Sequence, residues 1–198
     1  MAASPLIICL HGIGASGAQM KPIADSWRGH LPDATFVTPD GPLKNGYGGH
    51  QWFKVDGMQL EPMRVKEARN AFDRTICDVI RREGFDGKTG SIAFVGVSQG
   101  AIVALDAVAS GRWNVGALVA FSGLLPPTTI SQASNLTPVL LIHGADDRTI
   151  PSMASIVAAE QLKAAGFQVE SEIEPRVGHT ISLTGASRAL QFLRRTLL

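Results

Sequence analysis

Residues 91–108 read SIAFVGVSQGAIVALDAV, and their reading decides the fold. An apolar run from Ile92 to Val97 meets Ser98-Gln99-Gly100, and a helical apolar stretch, Gln99 to Ser110, follows at once. Continuous rather than alternating apolar character is what a strand needs when both faces of a parallel sheet are covered. Ser98 therefore stands where a buried strand turns into a buried helix. Gly96-x-Ser98-x-Gly100 in that setting is the nucleophile-elbow arrangement. The turn holds the serine in a strained conformation with its hydroxyl exposed, and the glycines let neighbouring backbone come close. A helix N-cap is the plainer use of a serine at such a junction.

Working outward, similar apolar runs occur at LIICL, TFV, ALVAFSG and VLLIHG, with a more alternating FQVESEIE near the end. Helical patterns lie between most of them. The clearest spans about Met63 to Glu83, where Val65, Ala68, Phe72, Ile76, Val79 and Ile80 recur at three- and four-residue steps. Others cover Ser152 to Ala165 and about Ser187 to Leu198. The alternation predicts an α/β fold, residues 1–198 as one domain, with a mostly parallel, doubly wound sheet and helices on both faces. Sites in such sheets lie at the carboxyl ends of the strands. One connection, residues 41–61, is long and carries Tyr47, Trp52 and Phe53. A loop of this length is expected to cover an active site.

The chain has 198 residues, 45% hydrophobic, and a net charge of +1. That balance gives no drive toward nucleic acid or acidic membranes and favours a small neutral or apolar substrate. Cys9 and Cys77 fall in a core strand and a helix, where free thiols act as small hydrophobes. The first residues lack a charged leader, and the Leu6–Leu10 run is too short for a signal core or a membrane span. These features lead to the expectation of a cytoplasmic protein without stable membrane insertion.

A serine hydroxyl is a weak nucleophile and needs a histidine base oriented by a carboxylate. VLLIHGADDRTIP presents Asp146 and Asp147 after a strand, and EIEPRVGHTIS presents His179 after the last strand. Ser98, Asp147, His179 is the chain order that this arrangement uses in α/β folds. Asp146 competes with Asp147, and either could cap the following helix. His11 and His143 directly follow strands and are expected to hold loops by hydrogen bonding. His50 in the long loop and His30 at a helix end are weaker candidates for the base.

LIICLHGIGASGAQM contains Gly12-x-Gly14-x-x-Gly17, which matches a dinucleotide-binding fingerprint, with Asp40 about where a ribose-binding acid would stand. A dinucleotide-binding enzyme is thus an alternative, but it leaves Ser98, Asp147 and His179 unexplained. In the nucleophile reading the same loop lends the Ile13 N–H to an oxyanion hole, alongside the N–H of Gln99.

Together LHGIGASG, PDGP, WF, GVSQG, FSGLLP, HGADDRTIP and the final GH resemble the phospholipase/carboxylesterase family, which includes acyl-protein thioesterases. The resemblance covers most of the chain. It implies an α/β-hydrolase fold and serine-dependent hydrolysis of esters or thioesters through an acyl-enzyme, with no metal or organic cofactor. In the family's HGxxDxxxP pattern the acid aligns with Asp147, which favours it over Asp146. The chain departs from the family in having Lys54 after WF and no antiparallel strands ahead of LIICL, so the sheet is expected to be shortened at that edge. Members are monomers or dimers, so a monomer or homodimer is expected. Trp52, Phe53, Leu124 and Leu125 are the expected substrate-binding residues, although Phe53 and Leu124 suit core packing almost as well. A non-catalytic binding protein on the same scaffold is the remaining alternative.

Overall fold

Leu6–Leu10 (β1), Thr35–Val37 (β2), Ile92–Val97 (β5), Ala117–Phe121 (β6), Val139–Gly144 (β7) and Val169–Glu174 (β8) form one sheet. Every pairing in it is parallel, in the order β2-β1-β5-β6-β7-β8. The computed structural model describes residues 4–46, 48–131 and 137–198. Tyr47 lies outside the described residues.

The apolar runs are continuous because each strand feeds two cores. In β1, Leu6, Ile8 and Leu10 enter one cluster, and Ile7 and Cys9 the other; β5, β6 and β7 divide in the same two-residue rhythm. Helices α2 (Pro62–Arg82), α3 (Gln99–Ala109) and α4 (Met153–Ala164) cover the first face. Helices α1 (Lys21–Arg28) and α5 (Leu183–Leu197) cover the second. On α2 the buried residues are Phe72, Ile76, Val79 and Ile80, one stripe of an otherwise polar helix. Helix α3 is buried almost all round because it lies at the centre of its layer.

Helix α5 begins earlier than the periodicity around Ser187 suggests. Ser182 caps it by accepting from the Gly185 N–H at 2.8 Å, while its hydroxyl donates to Glu174 at the end of β8. The exposed Leu183 breaks the apolar pattern there. Cys9 is fully buried as expected, whereas Cys77 is exposed on α2 and is not a core thiol. The 41–61 connection also contains a small antiparallel hairpin, Leu43–Lys44 (β3) with His50–Gln51 (β4), which the sequence did not foretell. Among the described residues no helix is long and apolar enough to cross a membrane.

The sheet order reverses between β1 and β5, whose carboxyl ends carry Gly12-Ile13 and Ser98. That crevice is where open α/β sheets place their ligands.

Candidate active site

Ser98 has φ 53° and ψ −118°, a conformation that L-residues rarely adopt. Two close approaches require it. A Cβ on Gly96 would lie 2.5 Å from the Ala101 nitrogen, and one on Gly100 would lie 2.2 Å from the Leu10 carbonyl oxygen. Only glycine lets strand β5, helix α3 and the end of β1 pack this tightly. The Ser98 carbonyl accepts the first helical bond from Ile102 at 3.0 Å, but its hydroxyl caps nothing. The side chain is therefore free of the N-cap role and opens into a cavity instead.

Asp147 follows β7 and is buried, and its carboxylate is saturated by hydrogen bonds. One oxygen accepts the N–H groups of Thr149 (2.8 Å) and Ile150 (3.0 Å). The other lies 2.7 Å from His179 Nδ1. Burial alone would raise this carboxyl, but the His179 hydrogen bond and the two backbone N–H groups outweigh it, so its pKa lies below the ordinary value. An ionised carboxylate only accepts, so Nδ1 carries the proton and Nε2 of a neutral ring is left as an acceptor. His179 reaches Asp147 because its loop lies on the end of β7: the Asp146 N–H donates to the Val177 carbonyl at 2.9 Å, and a Cβ on Gly144 would lie 2.2 Å from that oxygen. Asp146 itself is exposed. Among the described residues no hydrogen bond joins the Ser98 hydroxyl to His179. Such contacts are often long in unliganded enzymes and tighten with substrate.

Three of the other histidines hold structure, and His30 is exposed at the end of α1. His11 Nε2 accepts the Gly41 N–H at 2.8 Å, and Nδ1 meets the Gly12 carbonyl at 2.7 Å. His143 bridges Ser155 (2.6 Å) and the Ile150 carbonyl (2.8 Å), with Nε2 also 3.1 Å from Asp147. It thus braces the loop that carries the carboxylate. His50 pairs β4 with the glycine loop: its N–H donates to Ala15 O and its carbonyl accepts from the Gly14 N–H.

The glycines of residues 12–17 are accounted for by packing at Gly12 and Gly17 and by a left-handed backbone, φ 74°, at Gly14. A Cβ on Gly17 would stand 1.8 Å from the Thr38 carbonyl oxygen, and one on Gly12 would stand 3.3 Å from the Ser98 Cβ. Asp40 accepts the Gly17 N–H at 2.8 Å and so closes this loop from within. Gly12 brings Ile13 beside Ser98. Among the described residues neither the Ile13 N–H nor the Gln99 N–H donates a hydrogen bond.

The cavity in front of Ser98 has a volume of about 440 Å³. Its apolar walls include Phe53, Val55 and Leu60 from the long loop, Phe72 from α2, Ile102 from α3, and Leu124. Two expectations are corrected. Trp52 is fully buried in the core, edge-on to Phe72, with its indole N–H donating to the His11 carbonyl. Leu125 packs against the core cluster while its neighbour Leu124 faces the cavity. The Gln99 side chain has a role that its sequence position did not disclose. Its carbonyl accepts the Trp52 N–H at 2.7 Å and its amide donates to the Phe53 carbonyl at 2.8 Å, tying the long loop to the elbow. Among the described residues no group of three or more His, Cys, Asp or Glu side chains is arranged to hold a metal.

Comparison with known proteins agrees with this architecture. The family model described as Phospholipase/Carboxylesterase matches residues 1–197. The chain is 31% identical over 201 residues to "Esterase YpfH" of Escherichia coli, covering 98% of this chain and 84% of that one. It is 31% identical over 198 residues to "Carboxylesterase SOBER1" of Arabidopsis thaliana, covering 91% and 85%. The crystal structure of esterase PE8 superimposes with a TM-score of 0.84 at 32% identity, covering 99% of this chain and 94% of that one. The chain belongs to the phospholipase/carboxylesterase family and has the α/β-hydrolase fold.

Proposed function

We propose that the protein is a serine hydrolase that cleaves carboxylic esters, thioesters included, with an apolar acyl group, and that Ser98, His179 and Asp147 are its triad. The observation that carries this reading is the uncapped, strained Ser98 hydroxyl facing an apolar cavity that also reaches Thr149 and Ile150, whose N–H groups hold the Asp147 carboxylate paired with His179. His179 Nε2 takes the Ser98 proton as Oγ bonds to the ester carbonyl carbon. The Ile13 and Gln99 N–H groups receive the oxyanion. As the tetrahedral adduct collapses, His179 protonates the departing alcohol or thiol and leaves an acyl-Ser98 ester. Water, deprotonated by the same imidazole, repeats the sequence and frees the acid. Asp147 fixes the tautomer and stabilises the imidazolium.

In this reading residues 41–61 cover the site, and residues 1–198 act as one domain. Every proposed group comes from one chain, so a monomer or a homodimer serves equally. A reducing, cytoplasmic setting suits the two unpaired thiols, one of them, Cys9, with its pKa pushed up to about 12 by burial.

The test is the hydrolysis of p-nitrophenyl esters of increasing acyl length, with thioester counterparts. The proposal expects a pre-steady-state burst equal to enzyme concentration for the better substrates. It also expects Ser98→Ala to lower turnover on the order of 10⁶-fold, as for a complete triad. Full turnover by Ser98→Ala would refute it.

A further inference from the structure

We infer that the far end of the Ser98 cavity binds an anionic group, so that preferred substrates are esters whose apolar acyl chain ends in a carboxylate or phosphate. This rests on Ser98 as the nucleophile and specifies the substrate of that site.

Helix α3 lines the cavity with Gln99, Ile102, Val103 and Asp106, positions along one face that lead away from Ser98. Eight residues separate Ser98 from Asp106, a run of about 12 Å at the helical rise. The first part is walled by Ile102 and Val103 with Val65 and Phe72 of α2, and it is apolar. The end is not: Arg69, Arg112 and Asp106 line it. Both arginines also border a second hollow of about 630 Å³, which Lys66, Asn70 and Thr128 help to line.

The guanidinium groups are held in place from behind. Arg69 makes a two-pronged contact with Asp106, Nε at 2.9 Å and Nη2 at 2.6 Å, and Nη2 also reaches Thr128 at 2.9 Å. Arg112 Nη1 meets Asp106 at 2.8 Å and Ser110 at 2.8 Å, and Nε meets Asp73 at 3.1 Å. Asp73 is further held by the Trp113 indole N–H at 2.7 Å. These contacts use four of the six guanidinium nitrogens, three of them on Asp106 and Arg112 Nε on Asp73, while Arg69 Nη1 and Arg112 Nη2 have no partner among the described residues. The two carboxylates, Asp73 and Asp106, are already engaged by Arg69 and Arg112, and Lys66 on the wall of the second hollow adds a third cation. A methyl-ended chain reaching this point would cover N–H donors without satisfying them. A carboxylate or phosphate would accept from both forks.

The experiment compares p-nitrophenyl half-esters of dicarboxylic acids, and ω-phosphoryl analogues, with methyl-ended esters of equal chain length, using the full chain. At the best length an anionic end is expected to raise kcat/KM at least tenfold over its methyl-ended partner, and the two anionic series show which group fits. That ratio is expected to fall toward one in Arg112→Met and to drop in Lys66→Met. Lys66 makes no ion pair among the described residues, so its variant serves if Arg112→Met melts early. Methyl-ended esters winning at every length, or an anionic preference untouched in folded Lys66→Met and Arg112→Met, would overturn the inference and leave the hydrolase reading standing. No hydrolysis in any series would remove both.

Discussion

His179 Nδ1 and Asp147 Oδ2 lie 2.7 Å apart although 32 residues separate them, because the loop after β8 is laid on the end of β7. The carboxylate thereby fixes which imidazole nitrogen is free. Asp147→Asn replaces an acceptor with an amide that can present a donor to the ring, favouring the wrong tautomer. Turnover is expected to fall on the order of 10⁴-fold. Asp146→Asn, on an exposed side chain, is expected to stay within about threefold, since surface changes away from special features have small effects. Kinetics of the two variants on one ester decide between the neighbouring aspartates.

Acid stability follows from Asp106. Burial by itself would raise its carboxyl, but Arg69 and Arg112 outweigh that and hold its pKa below the ordinary 3.8. The unfolded chain therefore binds this proton at higher pH than the folded one. Its contribution is complete above the unfolded value and is lost as pH falls through the lowered folded value. In urea titrations the stability gap between the natural chain and Asp106→Asn is expected to be widest near neutrality and to narrow below about pH 4. A gap that widens with acid would contradict the ion-pair account.

Gly100→Ala places a methyl group 2.2 Å from the Leu10 carbonyl oxygen, against backbone that has nowhere to go. A loss of about 1–3 kcal/mol or more is expected from overpacking. The displaced elbow is expected to lose esterase activity even where the protein remains folded at low temperature. Denaturant unfolding alongside initial rates measures both.

Adjacent aromatics in the long loop are expected to answer differently. Phe53→Ala enlarges the cavity and is expected to move the acyl-length optimum toward longer chains, with changes of about 1–3 kcal/mol in discrimination per methylene. Trp52→Ala removes a buried core ring and leaves the His11 carbonyl without its donor. A stability loss of about 3–5 kcal/mol is expected. Chain-length profiles and melting curves of the pair separate a cavity wall from a core residue.

The strands and most helices were legible because each buried element carries its period: five-residue apolar runs for β1 and β6, a four-turn stripe for α2. The β3–β4 hairpin was not, since a two-residue strand is too short to show alternation and β4 is also bonded to Gly14 and Ala15, far away in sequence. Trp52 misled because an aromatic ring in a glycine-rich loop suits a ligand or a core equally. Only the distant His11 carbonyl, which takes its N–H, decides. Leu124 and Leu125 differ by one step along the chain, which is enough to turn one side chain to the cavity and the other to the core. Ser98 was the clearest because glycines two residues to either side mark a backbone crossing that no other residue permits. The charged end of the cavity was hidden, since Arg69, Asp106 and Arg112 meet only when α2 and α3 pack.

The most direct measurement is labelling by a fluorophosphonate, which reacts only with a serine whose proton has somewhere to go. The natural chain is expected to take up one equivalent on the peptide containing Ser98, with labelling abolished in Ser98→Ala and strongly reduced in His179→Ala. An unlabelled natural chain, or undiminished labelling of Ser98→Ala, would contradict the triad.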